Sequence, residues 1–230
     1  YFWSSTQINS LRGFSTVFLF ISEYYLNMLV DKDVDQICEL LANGKILAYP
    51  TETQWVLGVD ITIPKAIDEL LDIKPRDKEK AMSLLVADPR MAKTYAYITE
   101  KDEELMQLFW PGPLTLILPA KEIVPKKVRG GGTTIGLRCS SHPLAKKIIR
   151  KYQKAISTTS ANRSGQPTAH SKRDMIWAPK DSLVVVDDDT NLVKNPGSTV
   201  LLKEGSNYRL IREGQIEADL LKKYVSLIEI

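Results

Sequence analysis

Lys74-Pro75-Arg76 and Ser160-Ala161-Asn162 are the two clusters of this chain whose side chains could act together on one ligand. A Lys and an Arg two positions apart can converge on one anion, while a Ser and an Asn two apart supply neutral donors that complete its hydrogen-bond shell. That is the equipment of a phosphate or nucleotide site. Each pattern alone arises by chance in chains of this length, and a solvated face followed by a turn explains either one. Their weight comes from the elements that carry them and from the motifs around them.

Val34, Ile37, Cys38 and Leu41 fall at helical spacing behind Asp31, and Asn43-Gly44 is the stop. Lys45 to Tyr49 then reads as a short apolar strand, residues 50–53 as a polar turn, and Trp55 to Asp60 as a second strand. Pro64 opens a helix with Ile67, Leu70 and Leu71 on neighbouring turns, so Lys74 stands at its C-terminal end, where a basic group is also a plain dipole partner. Met82 to Ala87 is a buried-type strand, and Asp88 to Phe109 is helical in two pieces. Trp110-Pro111-Gly112-Pro113 is a rigid turn into the strand Leu114 to Leu118. Gly130-Gly131-Gly132 leads into the strand Thr133 to Arg138 and is either a flap or a place of close backbone approach. His142 to Tyr152 is a basic amphipathic helix, and Ala155 to Thr159 a strand. The polar loop 160–171 then ends a strand, the place where α/β sheets bind ligands. Strands at Leu183 to Val186, Ser198 to Leu202 and Tyr208 to Arg212 and a closing helix from Ile216 to Val225 complete a single α/β domain with a mixed sheet.

With 230 residues, 43% hydrophobic and 26% charged, the chain can bury one large core. Cys38 and Cys139 are too few for a zinc site or a disulfide framework and read as buried thiols of a reducing compartment. His142 and His170, the only histidines, leave little room for a His metal centre or a Ser-His-Asp relay. The Gly-x-Gly-x-x-Gly and Walker patterns are both missing. The net charge is +3, yet between Lys121 and Lys154 lie Lys126, Lys127, Arg129, Arg138, Lys146, Lys147, Arg150 and Lys151 against the single acid Glu122. Such a stretch attracts phosphates of a nucleotide or of RNA, although a wet helix face explains the last four equally well. Residues 1–27 differ in composition and read as an N-terminal extension or appended segment, with Met28 a natural start; their apolar run is too short to cross a membrane and lacks a signal-peptide cleavage pattern.

The spaced strings Tyr49-Pro50-Thr51-Glu52-Thr53, Lys74-x-Arg76, Trp110-Pro111-Gly112-Pro113-Leu114-Thr115 and Ile135-Gly136-Leu137-Arg138 are followed by His142-Pro143-Leu144-Ala145. Ser157-Thr158-Thr159-Ser160-Ala161-Asn162-x-Ser164-Gly165, Pro196-Gly197-Ser198-Thr199-Val200 and Leu210-Ile211-Arg212-Glu213-Gly214 close the series. Together, and in this order, they resemble the YrdC-like family of threonylcarbamoyl-AMP synthases, in its short single-domain form. The resemblance implies a twisted α/β domain over residues 28–226 with a large basic cavity. It implies a cytoplasmic nucleotidyltransferase that joins L-threonine, bicarbonate and ATP into threonylcarbamoyl-AMP and pyrophosphate, usually with Mg2+. The product would be the donor for threonylcarbamoyladenosine in tRNA, installed by a transferase complex. By the same resemblance Lys74, Arg76, Ser160 and Asn162 hold the triphosphate and serve catalysis, with Thr134, Thr168 and Arg212 also on ATP. Thr51, Arg138, Thr158 and Ser198 fall to threonine, Arg138 as partner of its carboxylate; no protein metal ligand is implied. Thr134 and Ser198 would equally serve as ordinary strand residues and Arg212 as a surface charge.

The chemistry builds negative charge twice, once when the amine captures bicarbonate and again when the carbamate oxygen displaces pyrophosphate. Fixed cations and donors suit it, and neither a nucleophilic Ser nor a catalytic His is needed. The chain departs from the family where Val56 replaces a usual glycine, narrowing the pocket, and where Ala81 replaces a usual proline. The rival expectation is a double-stranded RNA or tRNA binder of the same fold without synthase activity, which would read A-form RNA through its backbone.

Overall fold

Ile46, Leu47, Ala48 and Tyr49 are all fully buried, so the strand they form is covered on both faces and must lie inside a sheet. That strand, β2 (Ile46–Pro50), follows a two-residue strand β1 (Leu29–Val30) and the helix α1 (Val34–Ala42). The computed structural model describes residues 29–30, 33–74, 81–163, 166–175, 177, 183–186 and 188–228. Asp33 caps α1, its carboxylate accepting from the Asp35 amide at 2.9 Å, and Asn43 ends the helix as the sequence predicts. Residues 51–54 turn the chain back into β3 (Trp55–Gly58), antiparallel to β2 with Pro50 opposite Trp55.

The helix α2 (Pro64–Ile73) starts with proline at its first turn, buries Ala66, Ile67, Leu70 and Leu71, and ends at Lys74. After β4 (Ser83–Leu85), the helices α3 (Pro89–Tyr95) and α4 (Glu100–Phe109) are the two expected pieces. Asp88 caps the first, and a Thr99–Asp102 capping box starts the second. The Trp110-Pro111 bond is cis, and the turn leads into β5 (Leu114–Pro119). Its Pro113 carbonyl accepts from Thr199 N at 2.9 Å and its Gly112 amide donates to Cys139 O at 2.8 Å, so this turn ties three strands together. The triple glycine is a tight turn: Gly130 and Gly131 take φ of 58° and 78°, which glycine adopts without strain. Then come β6 (Thr134–Arg138), α5 (Pro143–Tyr152), β7 (Ile156–Ser160), β8 (Leu183–Val186), β9 (Thr199–Glu204) and β10 (Asn207–Arg212).

The closing helix is much shorter than its apolar pattern suggests. Only α6 (Ala218–Leu221) is helical; residues 222–225 turn, and β11 (Leu227–Ile228) pairs parallel with β10, just past the expected end of the domain. Backbone pairing to a distant strand overrides a local periodicity here.

The described strands form one sheet in the order β1-β8-β2-β3-β7-β4-β6-β5-β9-β10-β11. Parallel and antiparallel pairings mix, as expected: β4 with β6 and β5 with β9 are parallel, whereas β7 pairs antiparallel with both β3 and β4. Helices cover both faces. α1 and α5 pack Ile37, Leu41, Leu144 and Ile148 against Leu47, Tyr49 and Val56, and the larger core holds α2, α3 and α4 with Trp55, Leu84, Leu116 and Leu137. Cys139 is buried, but Cys38 is half-exposed, contrary to expectation, because it stands one position off the buried stripe of α1. None of the described helices is long and apolar enough to cross a membrane.

Candidate active site

Lys74, at the C-terminal end of α2, reaches across to the end of β7, although 86 residues separate it from Ser160. Its ammonium donates to the Ser160 carbonyl at 2.7 Å, to Ser160 Oγ at 3.2 Å and to Asn162 Oδ1 at 2.8 Å, and Ser160 Oγ donates to Asn162 Oδ1 at 2.7 Å. Lys74 is only 3% exposed. Three N–H donors face three oxygens, so Lys74 fixes the loop after β7 and places a cation beneath it. Arg76, its partner in the sequence cluster, lies outside the described residues.

Ser160 is one wall of a cavity of about 200 Å3 over the middle of the sheet. Neighbouring strands contribute in turn: Val56 from β3, Thr158 and Ser160 from β7, Ser83 from β4, Arg138 from β6, Thr115 from β5. Val200 of β9, Ser198 just before it, and Arg212 of β10 close the other side. Strand registers explain the convergence, since Ser160 lies opposite Val56, Thr158 opposite Ser83, and Arg138 opposite both Leu85 and Thr115. Among the described lining residues the charged side chains are the two arginines, and no carboxylate lines the cavity.

Arg138 is 6% exposed. Its Nη2 donates to Glu52 Oε1 at 2.9 Å and to Thr53 Oγ1 at 2.7 Å, and Ser140 Oγ donates to the other oxygen of Glu52. Burial by itself would push the Glu52 carboxyl up, but Arg138 and the Ser140 hydroxyl outweigh it and hold the group below the ordinary carboxylate range. Arg212 donates from Nε and Nη2 to the Ser198 carbonyl at 3.0 and 2.8 Å and from Nη2 to Ser198 Oγ at 3.0 Å. Burial, and secondarily the like charge of Arg138, lower its pKa. Two guanidinium groups matched by one carboxylate leave a site that electrostatically favours one added anion.

The other sequence candidates separate. Thr51 is buried in the β2–β3 turn, its hydroxyl donating to the Gln54 carbonyl at 2.7 Å, and does not line the cavity. Thr134 begins β6 opposite Pro119 and does not line it either. Thr168 lines a separate groove of about 900 Å3 with Arg163, His170, Trp177 and Ala161, the chain neighbour of Ser160. Glu52, Thr53, Ser140, Thr115 and Ser83 were not singled out from sequence. Glu52, Thr53 and Thr115 do stand inside two of the spaced strings, the one signal that could have found them. Val56, 2% exposed, lines the cavity where the family resemblance suggests a narrower pocket. The basic stretch is partly neutralised, with Lys127, Lys151 and Lys154 paired to Asp68, Asp35 and Asp60.

A mixed α/β sheet covered by helices on both faces, with a two-arginine cavity beside a Lys–Ser–Asn constellation, defines the class of domain to which the chain belongs. Residues 39–214 match the Sua5/YciO/YrdC family, described as telomere recombination, and the chain belongs to that family. It is 30% identical over 186 residues to a threonylcarbamoyl-AMP synthase of Vibrio campbellii, covering 80% of this chain and 100% of the relative. With a threonylcarbamoyl-AMP synthase of Photorhabdus laumondii it shares 32% identity over 178 residues, 76% of this chain and 94% of the relative. The crystal structure of P. abyssi Sua5 complexed with L-threonine superposes with a TM-score of 0.79 at 27% identity, over 87% of this chain and 62% of that one. This chain thus spans less than two thirds of the P. abyssi protein while matching these two bacterial relatives over 100% and 94% of their length.

Proposed function

We propose that this chain is an enzyme, an L-threonylcarbamoyladenylate synthase, which forms threonylcarbamoyl-AMP and pyrophosphate from L-threonine, bicarbonate and ATP. The observation that carries the proposal is the cavity lined by both Arg138 and Arg212, with Ser160 of the Lys74, Ser160 and Asn162 cluster in its wall. The near full-length similarity to curated synthases favours it over an RNA-binding protein of the same fold.

A cavity of about 200 Å3 falls below the range of roughly 300 to 1,000 Å3 typical of drug-sized ligands, which suits an amino acid. Threonine enters with its carboxylate on Arg138 and its hydroxyl among Thr158, Ser198 and Thr115. Thr51 supports that site by shaping the turn that carries Glu52 and Thr53. The amine adds to the carbon of bicarbonate and water leaves, giving a carbamate. The carbamate oxygen then attacks the α-phosphorus of ATP and the bond to the bridging oxygen of pyrophosphate breaks. Holding the nucleophile in line and neutralising the charge of both steps is the protein's part. Lys74, Arg76, Ser160 and Asn162 are assigned to the triphosphate, with Thr134, Thr168 and Arg212 also on the nucleotide. Arg212, between the two ligands, is placed to meet charge that develops at the α-phosphate.

Among the described residues no group of three His, Cys, Asp or Glu side chains gathers to hold a metal. Mg2+ is assigned to the substrate, bound to the phosphates of ATP whose charge it would neutralise. The activity is assigned to residues 28–226, with 1–27 as an extension, and the cytoplasm is the compartment this chemistry implies. A complex that transfers threonylcarbamoyl to tRNA is the implied partner.

Pyrophosphate release by the purified protein tests the reading. Release that requires ATP, threonine and bicarbonate together, and that disappears in Lys74→Ala and Ser160→Ala, is expected. Release without threonine, or none from folded protein that binds RNA with a steep salt dependence, sinks it.

A further inference from the structure

We infer that Glu52 is a positioning residue for the substrate carboxylate, acting through Arg138 without touching substrate; the inference rests on the synthase reading of the cavity. Arg138 has five N–H donors on a rigid planar fork, so where its remaining donors point is decided by what holds the others. Both hydrogens of Nη2 are engaged, one by Glu52 Oε1 at 2.9 Å and one by Thr53 Oγ1 at 2.7 Å. Nε is buried and meets no acceptor within hydrogen-bond distance among the described residues, although Arg138 lines the cavity. A buried donor left without an acceptor is unfavourable, so the plane of the guanidinium depends on the Glu52 and Thr53 contacts.

Glu52 is itself anchored twice more. Ser140 donates to its second oxygen, and the turn that carries it is closed by Thr51 N donating to the Gln54 carbonyl at 3.0 Å. Asn195 donates to the Thr53 carbonyl at 2.8 Å, which joins the turn to the segment leading to Ser198. The pair is 7% and 16% exposed at Arg138 and Glu52, so solvent screens it little. Glu52 therefore does two things for the fork. It sets the plane of the guanidinium, and it offsets one positive charge, so Arg138 stays aligned before any anion arrives. Gln at this position keeps the shape but removes the negative charge that holds the guanidinium, and a neutral amide oxygen grips the fork more weakly than a carboxylate.

Calorimetric binding of L-threonine and steady-state pyrophosphate release test this in wild type, Glu52→Gln, Arg138→Lys and the double variant. Glu52→Gln is expected to weaken threonine binding and raise the KM for threonine tenfold or more while moving the KM for ATP less than twofold. The double variant is expected to bind threonine no worse than Arg138→Lys alone, because Glu52 acts only through Arg138. Glu52→Asp, which keeps the charge on a shorter stem, recovers part of the loss. Additive losses in the double variant, or equal rises in both KM values, overturn the positioning role. Threonine binding by wild type that Glu52→Gln leaves unchanged overturns it while sparing the synthase reading. Failure of wild type to bind threonine at all overturns both.

Discussion

Lys74 shows how much one side chain can carry. Replacing it with Met keeps the stem but leaves the Ser160 carbonyl and Asn162 Oδ1 without their donor. A melt of Lys74→Met should show a stability loss of about 1–3 kcal/mol, and its pyrophosphate release should fall by roughly 100-fold or more. Lys74, Ser160 and Asn162 were legible as candidates in the chain, whereas the direct bonds from Lys74 to Ser160 and Asn162 were not, because they span 86 and 88 residues. Val56 offers a test of the cavity's size. Val56→Phe adds bulk to a wall that is already buried, costing about 1–3 kcal/mol, and should abolish threonine binding in calorimetry while ATP still binds.

Strands and turns place these groups, and glycine matters most where a turn must touch another strand. A Cβ at Gly214 would sit 2.4 Å from the Ser198 carbonyl carbon and 2.5 Å from Gly197 O and Thr199 N, all backbone atoms. The chain leaving β10 presses directly on the segment that carries Ser198, and Arg212 grips the same carbonyl. Gly214→Ala should therefore raise the KM for threonine at least tenfold and lower the Tm, measurable in one preparation. Most elements were legible because their signals are local: proline at the first turn of α2, α3 and α5, and Asn43 ending α1. The closing helix was not, since its fate depends on β10, to which Leu227 and Ile228 pair. Thr51 likewise sits in a recognisable string and Thr134 directly before one, but position along the chain does not say whether a side chain faces the cavity.

Across the molecule, largely buried carboxylates knit sheet to helices: Glu52 to Arg138, Asp60 to Tyr152 and Thr62, Asp102 to Tyr208, Lys203 and Thr99. In each, burial pushes the carboxyl up and its partners pull it down further, so every one is held below its ordinary range. A folded pKa below the unfolded value means stability fully present above the unfolded value and lost as pH falls through the folded one. Urea midpoints should be level from pH 6 to 8 and decline once pH drops below about 4. A midpoint unchanged at pH 3 would show that these contacts contribute nothing net. Composition and hydrophobic period pointed to a single α/β domain with a mixed sheet, because burial of apolar stripes is a property of local order along the chain. The spaced strings marked the family and most of the residues at the cavity. The pairing of Glu52 with Arg138, the saturation of Lys74 and the exclusion of Thr51 and Thr134 from the cavity are different in kind. They arise from strand register and from contacts between residues far apart in sequence, which become defined once the sheet closes and burial forces each polar group to find its partner.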